Sequence, residues 1–261
     1  MTTTSSPPRS DRDFTAPAGL RTRGTVLVVP GRGETPDSYG RFGARLAADA
    51  YRVKVLPAPV VAPDDVPGTL AALAAALDAA VAGIPDLARP LVLVGADTGA
   101  AAVGALVAGP PRSAAWWPDA VVLAGLPGYD THRTLGWEEE LDARTHCPVH
   151  RGVLTGDPAV HRGALAAAVP DALLDAAYGS TASPPHLLLV GDADPLAGGA
   201  ELRRLAKSLP SARLSSVSGA HHDVLNDLPH RSVAAEIVTF LEALRGTPRL
   251  APVVRVESST W

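Results

Sequence analysis

The sequence predicts an α/β protein built on a mainly parallel, twisted sheet, and three observations carry that reading. Six short runs rich in β-branched residues and leucine stand out: Thr25–Val29, Arg52–Leu56, Leu91–Val94, Ala120–Ala124, Leu187–Val190 and Arg213–Val217. Helix-length stretches separate most of them, at Tyr39–Ala50, Val66–Ala82, Gly99–Val107 and Gly199–Ser208, and Ser232–Leu244 follows the last run. One connection, residues 127–184, breaks the rhythm with many turn residues and no strong strand.

Nearly continuous apolar runs of this length suit strands buried on both faces. Strand and helix in alternation place helices on both sides of a parallel sheet. A long connection inside a compact domain is usually a lid or an inserted cap, so residues 127–184 are expected to cap the carboxyl ends of the strands. The core then comprises residues 20–126 and 185–245. Residues 1–19, rich in Thr, Ser, Pro, Arg and Asp, have too little apolar surface to offset ordering entropy and are expected to be disordered. Residues 246–261 form a short, Pro-punctuated tail.

Composition narrows the function classes. Hydrophobic residues make up 46% of 261, enough for one sizeable core. The formal net charge is −4 and no basic run exists, which argues against nucleic acid as a partner. Cys147 is the single cysteine, so no intrachain disulfide is possible. The first residues lack the apolar region of a secretory signal, and no stretch is long and charge-free enough for stable membrane insertion. A cytoplasmic protein acting on a small molecule is the default expectation, and a homodimer is compatible with it.

The chemistry is concentrated at Leu91-Val92-Leu93-Val94-Gly95-Ala96-Asp97-Thr98-Gly99, followed by Ala100, Ala101, Ala102 and Gly104. A G-x-nucleophile-x-G segment between a buried strand and a small-residue helix is a nucleophile elbow. Its middle side chain projects above the sheet at a helix N-terminus. The plain alternative for Asp97 is a helix N-cap, a role that suits aspartate. A dinucleotide site is disfavoured, because Pro36 stands where the third glycine of a G-x-G-x-x-G after Gly31-Arg32-Gly33 would fall, and no cofactor is expected. Two further pieces follow in chain order. Gly191-Asp192-Ala193-Asp194 comes just beyond a strand, and Ala220-His221-His222-Asp223 follows the last one. Acids and histidines at strand carboxyl ends lie where open α/β sheets place their sites.

The order nucleophile, acid, histidine resembles that of the α/β-hydrolases. The chain looks most like their monoglyceride-lipase and lysophospholipase-like branch, over about Thr25 to Leu244. Pro30-Gly31-Arg32-Gly33-Glu34, with Tyr39 and Ala50-Tyr51-Arg52-Val53, is similar to that branch's oxyanion loop and following helix. The resemblance implies the α/β-hydrolase fold with a small cap, and points to Asp194 and His222 as the acid and the histidine. It implies that the backbone N–H groups of Arg32 and Thr98 form an oxyanion hole. Two positions depart from the pattern: Pro30 stands where the family has histidine, and Asp97 replaces its serine. Carboxylate nucleophiles occur in epoxide hydrolases and haloalkane dehalogenases, but those usually carry a bulky residue after the aspartate, where this chain has Thr98.

An aspartate nucleophile is ionised without a base. Asp97 would attack an electrophilic carbon and form an ester, His222 would activate water to hydrolyse it, and Asp194 would orient the imidazole. Tyr129 and Tyr178 are candidates for substrate binding or for protonating a departing oxygen, against ordinary packing. Trp116, Trp117 and Trp137 are expected to pack, and the Arg32 side chain to be solvated unless it meets an anionic substrate. His146-Cys147-Pro148-Val149-His150, with His161, offers metal ligands but matches no tetrahedral zinc spacing, so no metal is expected. Two other classes stay open: a catalytically silent ligand- or protein-binding member of the fold, and a lyase-type enzyme using Asp97 and His222 for proton transfer.

Overall fold

The computed structural model describes residues 11–109, 113–129, 131, 136–247, 249–255, 257 and 258. Its strands are β1 (Arg12–Phe14), β2 (Gly24–Val29), β3 (Tyr51–Val55), β4 (Leu91–Ala96), β5 (Ala120–Ala124), β6 (His186–Gly191) and β7 (Ala212–Val217). Its helices are α1 (Gly40–Ala48), α2 (Val66–Ala82), α3 (Thr98–Ala108), α4 (Trp137–Arg144), α5 (Pro148–Gly156), α6 (Asp171–Tyr178), α7 (Gly199–Ser208) and α8 (His230–Arg245). Short 3₁₀ turns lie at Pro36–Tyr39 and Ala164–Ala166.

The seven strands form one sheet in the order β1-β3-β2-β4-β5-β6-β7. Every pairing is parallel except β1 with β3. Alternate residues of the central strands point to opposite faces. Leu27, Val29, Leu91, Leu93, Val121 and Leu123 face the layer of α2, α3, α6 and α7. Val26, Val28, Val92, Val94 and Val122 face α1 and α8. Burying each such side chain contributes about 1.5–3 kcal/mol, so these apolar runs fix both helical layers to the sheet. All six strands read from the sequence are present, within a residue or two at each end. Among the described residues no helix is long and apolar enough to cross a membrane.

Two boundaries differ from the sequence reading. Within the segment expected to be disordered, Arg12–Phe14 form the edge strand β1. The Phe14 ring lies where a Cβ on Gly43 of α1 would sit, Arg12 pairs with Asp37, and Lys54 pairs with Asp11 and Asp13. Local composition missed this, because the stabilising partners lie in β3, α1 and the loop before α1. Residues 1–10 of that segment lie outside the described residues. The second difference concerns residues 127–184. Their last helix, α6, buries Leu173, Leu174 and Ala177 in the main core beside α3, so it belongs to the helical layer. The portion from α4 to Ala167 lies against the loops at the strands' carboxyl edge, and Gly128 N–H also donates to the Leu196 carbonyl in the loop after β6 at 2.8 Å. His161 N–H donates to the Gly33 carbonyl at 2.9 Å, His222 N–H to the Ala143 carbonyl at 3.2 Å and Asp223 N–H to the Arg144 carbonyl at 2.8 Å.

The approach of α3 to the sheet depends on missing side chains. A Cβ on Gly95 would stand 2.5 Å from the Gly99 carbonyl oxygen, and one on Gly99 would overlap the carbonyls of Val29 and Pro30. Gly99→Ala should therefore destabilise the fold by at least the ~1–3 kcal/mol typical of overpacking, since backbone cannot yield as a side chain does. A Cβ on Gly152, inside α5, meets nothing within 4 Å. Gly152→Ala should stabilise by about 0.5–1 kcal/mol through helix propensity. Urea midpoints of the two variants test this, and equal midpoints would contradict it.

Candidate active site

Asp97 sits at the sharp turn between β4 and α3, with φ 47° and ψ −121°. A non-glycine residue in this region costs about 1–3 kcal/mol and persists only where its surroundings enforce it. Here the tight glycine-flanked turn enforces it, and Asp97 N–H donates to the Ala124 carbonyl of β5 at 3.1 Å. The side chain does not cap α3. Asp97 stands at the N-cap position of α3, but its side chain turns instead to the loops after β2 and β7.

Four ionisable groups form a chain at this point. The Asp194 carboxylate lies 3.0 Å from Nδ1 of His222, and Nε2 of the same ring lies 3.1 Å from Oδ1 of Asp97. Arg32 closes the far end. Its Nε is 2.9 Å from Oδ2 and its Nη2 is 2.8 Å from Oδ1, while its backbone N–H donates to Oδ2 at 2.7 Å. Thr98 reaches Oδ2 with its hydroxyl at 3.5 Å. His222 rather than His221 faces the acid. His221 instead turns to Asp227 at 3.0 Å and stacks on His146 with ring centres 3.8 Å apart. Asp192 accepts from the Gly219 amide at 2.7 Å, which leaves Asp194 as the partner of the imidazole.

The Arg32 guanidinium is the main surprise. Its side chain is 8% exposed rather than solvated, and its Nη1 donates to the carbonyl of Ala167 at 2.5 Å, just beyond the 3₁₀ turn. The carbonyl of Arg32 accepts from Nη2 of Arg144 at 2.7 Å, and Gly33 supplies the left-handed φ of 74° that turns the loop. Gly31-Arg32-Gly33 alone carries no signal for this contact, because the partners of the guanidinium, Asp97 and the Leu165 and Ala167 carbonyls, lie 65 to 135 residues away in sequence.

Burial and charge set the protonation states. Burial alone would raise the Asp97 carboxyl, but the Arg32 guanidinium and His222 outweigh it and hold the group well below the usual carboxylate range. Burial would lower His222, yet Asp194 and Asp97 outweigh it and raise the imidazole to about 10. The resting chain is thus Arg32 cation, Asp97 anion, His222 cation and Asp194 anion.

A second buried group adjoins this chain. Tyr39 donates to Glu34, Arg144 pairs with Glu140 at 2.8 Å, and His150 Nε2 lies 2.9 Å from Asp223. Burial and the neighbouring Asp223 raise Glu34. Burial opposes ionisation of Asp223, but Arg144 and His150 lower it. Glu34, His150 and Asp223 are the one set of potential metal ligands that converge within 4.8 Å among the described residues. His146, Cys147 and His161 do not join it. A cavity of about 10 Å³, on the scale of one water molecule, is lined by Glu34, Tyr39, Asp97, His222 and Asn226.

Tyr129 and Tyr178 are not brought to Asp97. Their rings stack on each other, the Tyr129 hydroxyl donates to Asp175 at 2.7 Å and the Tyr178 hydroxyl to the Pro127 carbonyl at 2.9 Å. Burial and nearby carboxylates raise both phenols, Tyr129 to about 12, which makes them poor proton donors. Trp116 is buried in the main core, and Trp137 carries the Arg162 guanidinium over its ring at 4.9 Å.

No protein-family model matches the chain, and no curated protein does. Solved structures do. The monoacylglycerol lipase of Paleococcus ferrophilus superposes with a TM-score of 0.68 at 19% identity, over 89% of this chain and 97% of the lipase. A lipase-esterase related protein of Clostridium acetobutylicum gives 0.68 at 16% identity, over 88% and 98%. The soluble variant of Saccharomyces cerevisiae monoglyceride lipase gives 0.64 at 14%, over 89% and 90%. The chain therefore has the α/β-hydrolase fold.

The protonated His222 makes stability depend on pH with a defined sign. A group whose pKa is raised on folding stabilises fully below its ordinary value of 6.5, and that contribution is lost as pH rises through about 10. Asp97 acts oppositely, its contribution fading only as pH falls below the usual carboxylate range. Wild type should lose stability steadily from pH 6.5 to 10, by at most about 1.4 kcal/mol per pH unit for this one proton. His222→Gln should show a flatter curve over the same window. Parallel curves from urea titrations at each pH would contradict the assignment.

Proposed function

We propose that the protein is a hydrolase of a small organic substrate, with Asp97 as covalent nucleophile and His222 and Asp194 as the proton-handling pair. One observation carries this reading: Oδ2 of Asp97 accepts the Arg32 amide at 2.7 Å while Oδ1 meets His222 Nε2 at 3.1 Å. A carboxylate nucleophile needs one oxygen held where an ester carbonyl will lie and the other beside the histidine, and in the resting site Arg32 Nη2 also occupies that second oxygen at 2.8 Å. The portion from α4 to Ala166 would serve as the cap.

In the first step Oδ1 attacks an electrophilic carbon. The carbon–leaving-group bond breaks and the leaving group departs with the electron pair. Asp97 becomes a neutral ester, so His222 loses one of the two carboxylates that raise its pKa and releases its proton, to the departing oxygen of an epoxide or, when the leaving group is a halide, to solvent. The imidazole is then neutral when a base is required. The cavity bounded by Asp97, His222, Glu34 and Asn226 suits the attacking water. His222 takes a proton from that water as its oxygen adds to the ester carbon, and the oxyanion forms on Oδ2 against the Arg32 amide. Collapse breaks the bond to Oδ1, His222 protonates the departing alkoxide, and the new carboxyl returns its proton to His222. Water and the substrate yield an alcohol and the protonated leaving group, and the resting chain is restored.

A second reading draws on the same guanidinium. An aspartate saturated by a buried arginine also suits a non-catalytic member of the fold, in which the ion chain holds the loops together. His222→Gln separates the two when the leaving group departs without a proton, as a halide does, because that first step needs only the carboxylate and the second needs the base. With a panel of alkyl halides, the variant should accumulate one adduct on the peptide carrying Asp97, seen by intact-protein and peptide mass spectrometry. Wild type should turn over without accumulation. Absence of both adduct and turnover across the panel would favour the non-catalytic reading.

A further inference from the structure

We propose that the substrate is a small organic carboxylate, with its anion taken by the guanidinium of Arg32. This rests on the nucleophile reading above and adds the chemical class that the site admits.

The starting point is the coordination of Oδ1. Three donors surround it: His222 Nε2 at 3.1 Å, Arg32 Nη2 at 2.8 Å and Arg32 Nε at 3.2 Å. Oδ2 receives the Arg32 amide, Arg32 Nε and the Thr98 hydroxyl. A carboxylate oxygen has two in-plane lone pairs, so no lobe of Oδ1 is free to meet a carbon. A substrate reaches it only by displacing the Nε and Nη2 edge of Arg32. A neutral substrate would then leave a buried guanidinium without a counterion, a situation that disfavours binding about a hundredfold or more.

A substrate carrying its own carboxylate removes this penalty. The Nε–Nη2 edge already grips a carboxylate, that of Asp97, through two parallel donors, and a planar fork of this kind selects carboxylates by geometry as well as charge. The exchange is also needed later in the cycle. Once Asp97 is an ester it carries no charge, and Arg32 would face a neutral group. A substrate carboxylate tethered through that ester supplies the missing anion for the lifetime of the intermediate. Nη1 is already anchored to the Ala167 and Leu165 carbonyls, so the guanidinium pivots about that end. The electrophilic carbon accordingly lies one or two bonds from the carboxylate, as in a 2-substituted short-chain acid. In the covalent step Oδ1 bonds to that carbon, the leaving group departs with its electron pair, and hydrolysis yields the hydroxy acid.

Two matched probe pairs test this. Propionate and propionamide are unreactive, nearly isosteric and differ in charge. By isothermal titration, wild type should bind propionate at least about tenfold tighter than propionamide, and Arg32→Met should lose that preference. Arg32→Lys, which keeps the charge and loses the fork, should retain a weakened preference and guards against misfolding of the methionine variant. The reactive pair is 2-chloropropionate and 2-chloropropionamide, each corrected for its rate with free acetate. His222→Gln should be alkylated on Asp97 at least about tenfold faster by the acid. Equal binding of the unreactive pair, or alkylation by the amide as fast as by the acid, overturns the carboxylate proposal. The second of these results leaves the nucleophile reading standing. Arg32-dependent propionate binding without alkylation by any reagent retires the nucleophile and leaves a carboxylate-binding site.

Discussion

The structure at the carboxyl edge of the sheet follows from the ionised carboxylate of Asp97, which is 3% exposed and cannot remain charged there without cationic partners. Arg32 and His222 are those partners, and each brings its own dependence. His222, charged between two carboxylates, needs Asp194 on its far nitrogen. Arg32 needs its loop held, and Arg144 holds it by donating to the Arg32 carbonyl. The loops after β2, β4, β6 and β7 thus meet at one carboxylate, and Ala167 ties in the inserted segment. Breaking a buried pair by removing one member is far more costly than the net gain of forming it. The arrangement is better read as a constraint on where four loops lie than as a source of stability.

The neighbouring group around Glu34, Tyr39, Arg144, Glu140, Asp223 and His150 belongs to the same constraint. Asp223 follows His222 in sequence, Glu34 and Tyr39 flank the turn after β2, and Arg144 and Glu140 come from α4. Burial, and after it the neighbouring Asp223, raise the Glu34 carboxyl, while Arg144 and His150 lower Asp223 against its own burial. The Glu140 carboxylate also accepts the Gly163 amide, which places the inserted segment under the same electrostatic control.

Much of this was legible in the sequence. The strands are apolar on both faces, so their runs were nearly unbroken and their positions were readable. The elbow was readable because close approach of α3 leaves no room for a side chain at Gly95 and Gly99, and such a need writes itself as glycine. Asp194 and His222 were readable because each follows a strand that ends at the same edge. The illegible parts depend on contacts distant in sequence. Strand β1 is held by partners 25 to 43 residues away. Helix α6 sits in the core through residues whose spacing resembles that of any amphipathic helix. The burial of Arg32 could not be inferred from its loop, because its partners come from the turn before α3 and from the inserted segment at Leu165 and Ala167.

In the free site the imidazole of His222 is held protonated by Asp194 and Asp97 against its burial, and it becomes a better base once the charge on Asp97 is removed. Asp97→Asn imitates the charge loss of esterification with little change of shape. Nitrogen-15 NMR of His222 across pH 6–11, in wild type and in this variant, reads the claim directly. Both ring nitrogens should be protonated in wild type at pH 8, with a midpoint near 10, and the variant should show a clearly lower midpoint. A neutral wild-type imidazole at pH 8, or the same midpoint in both proteins, would contradict it.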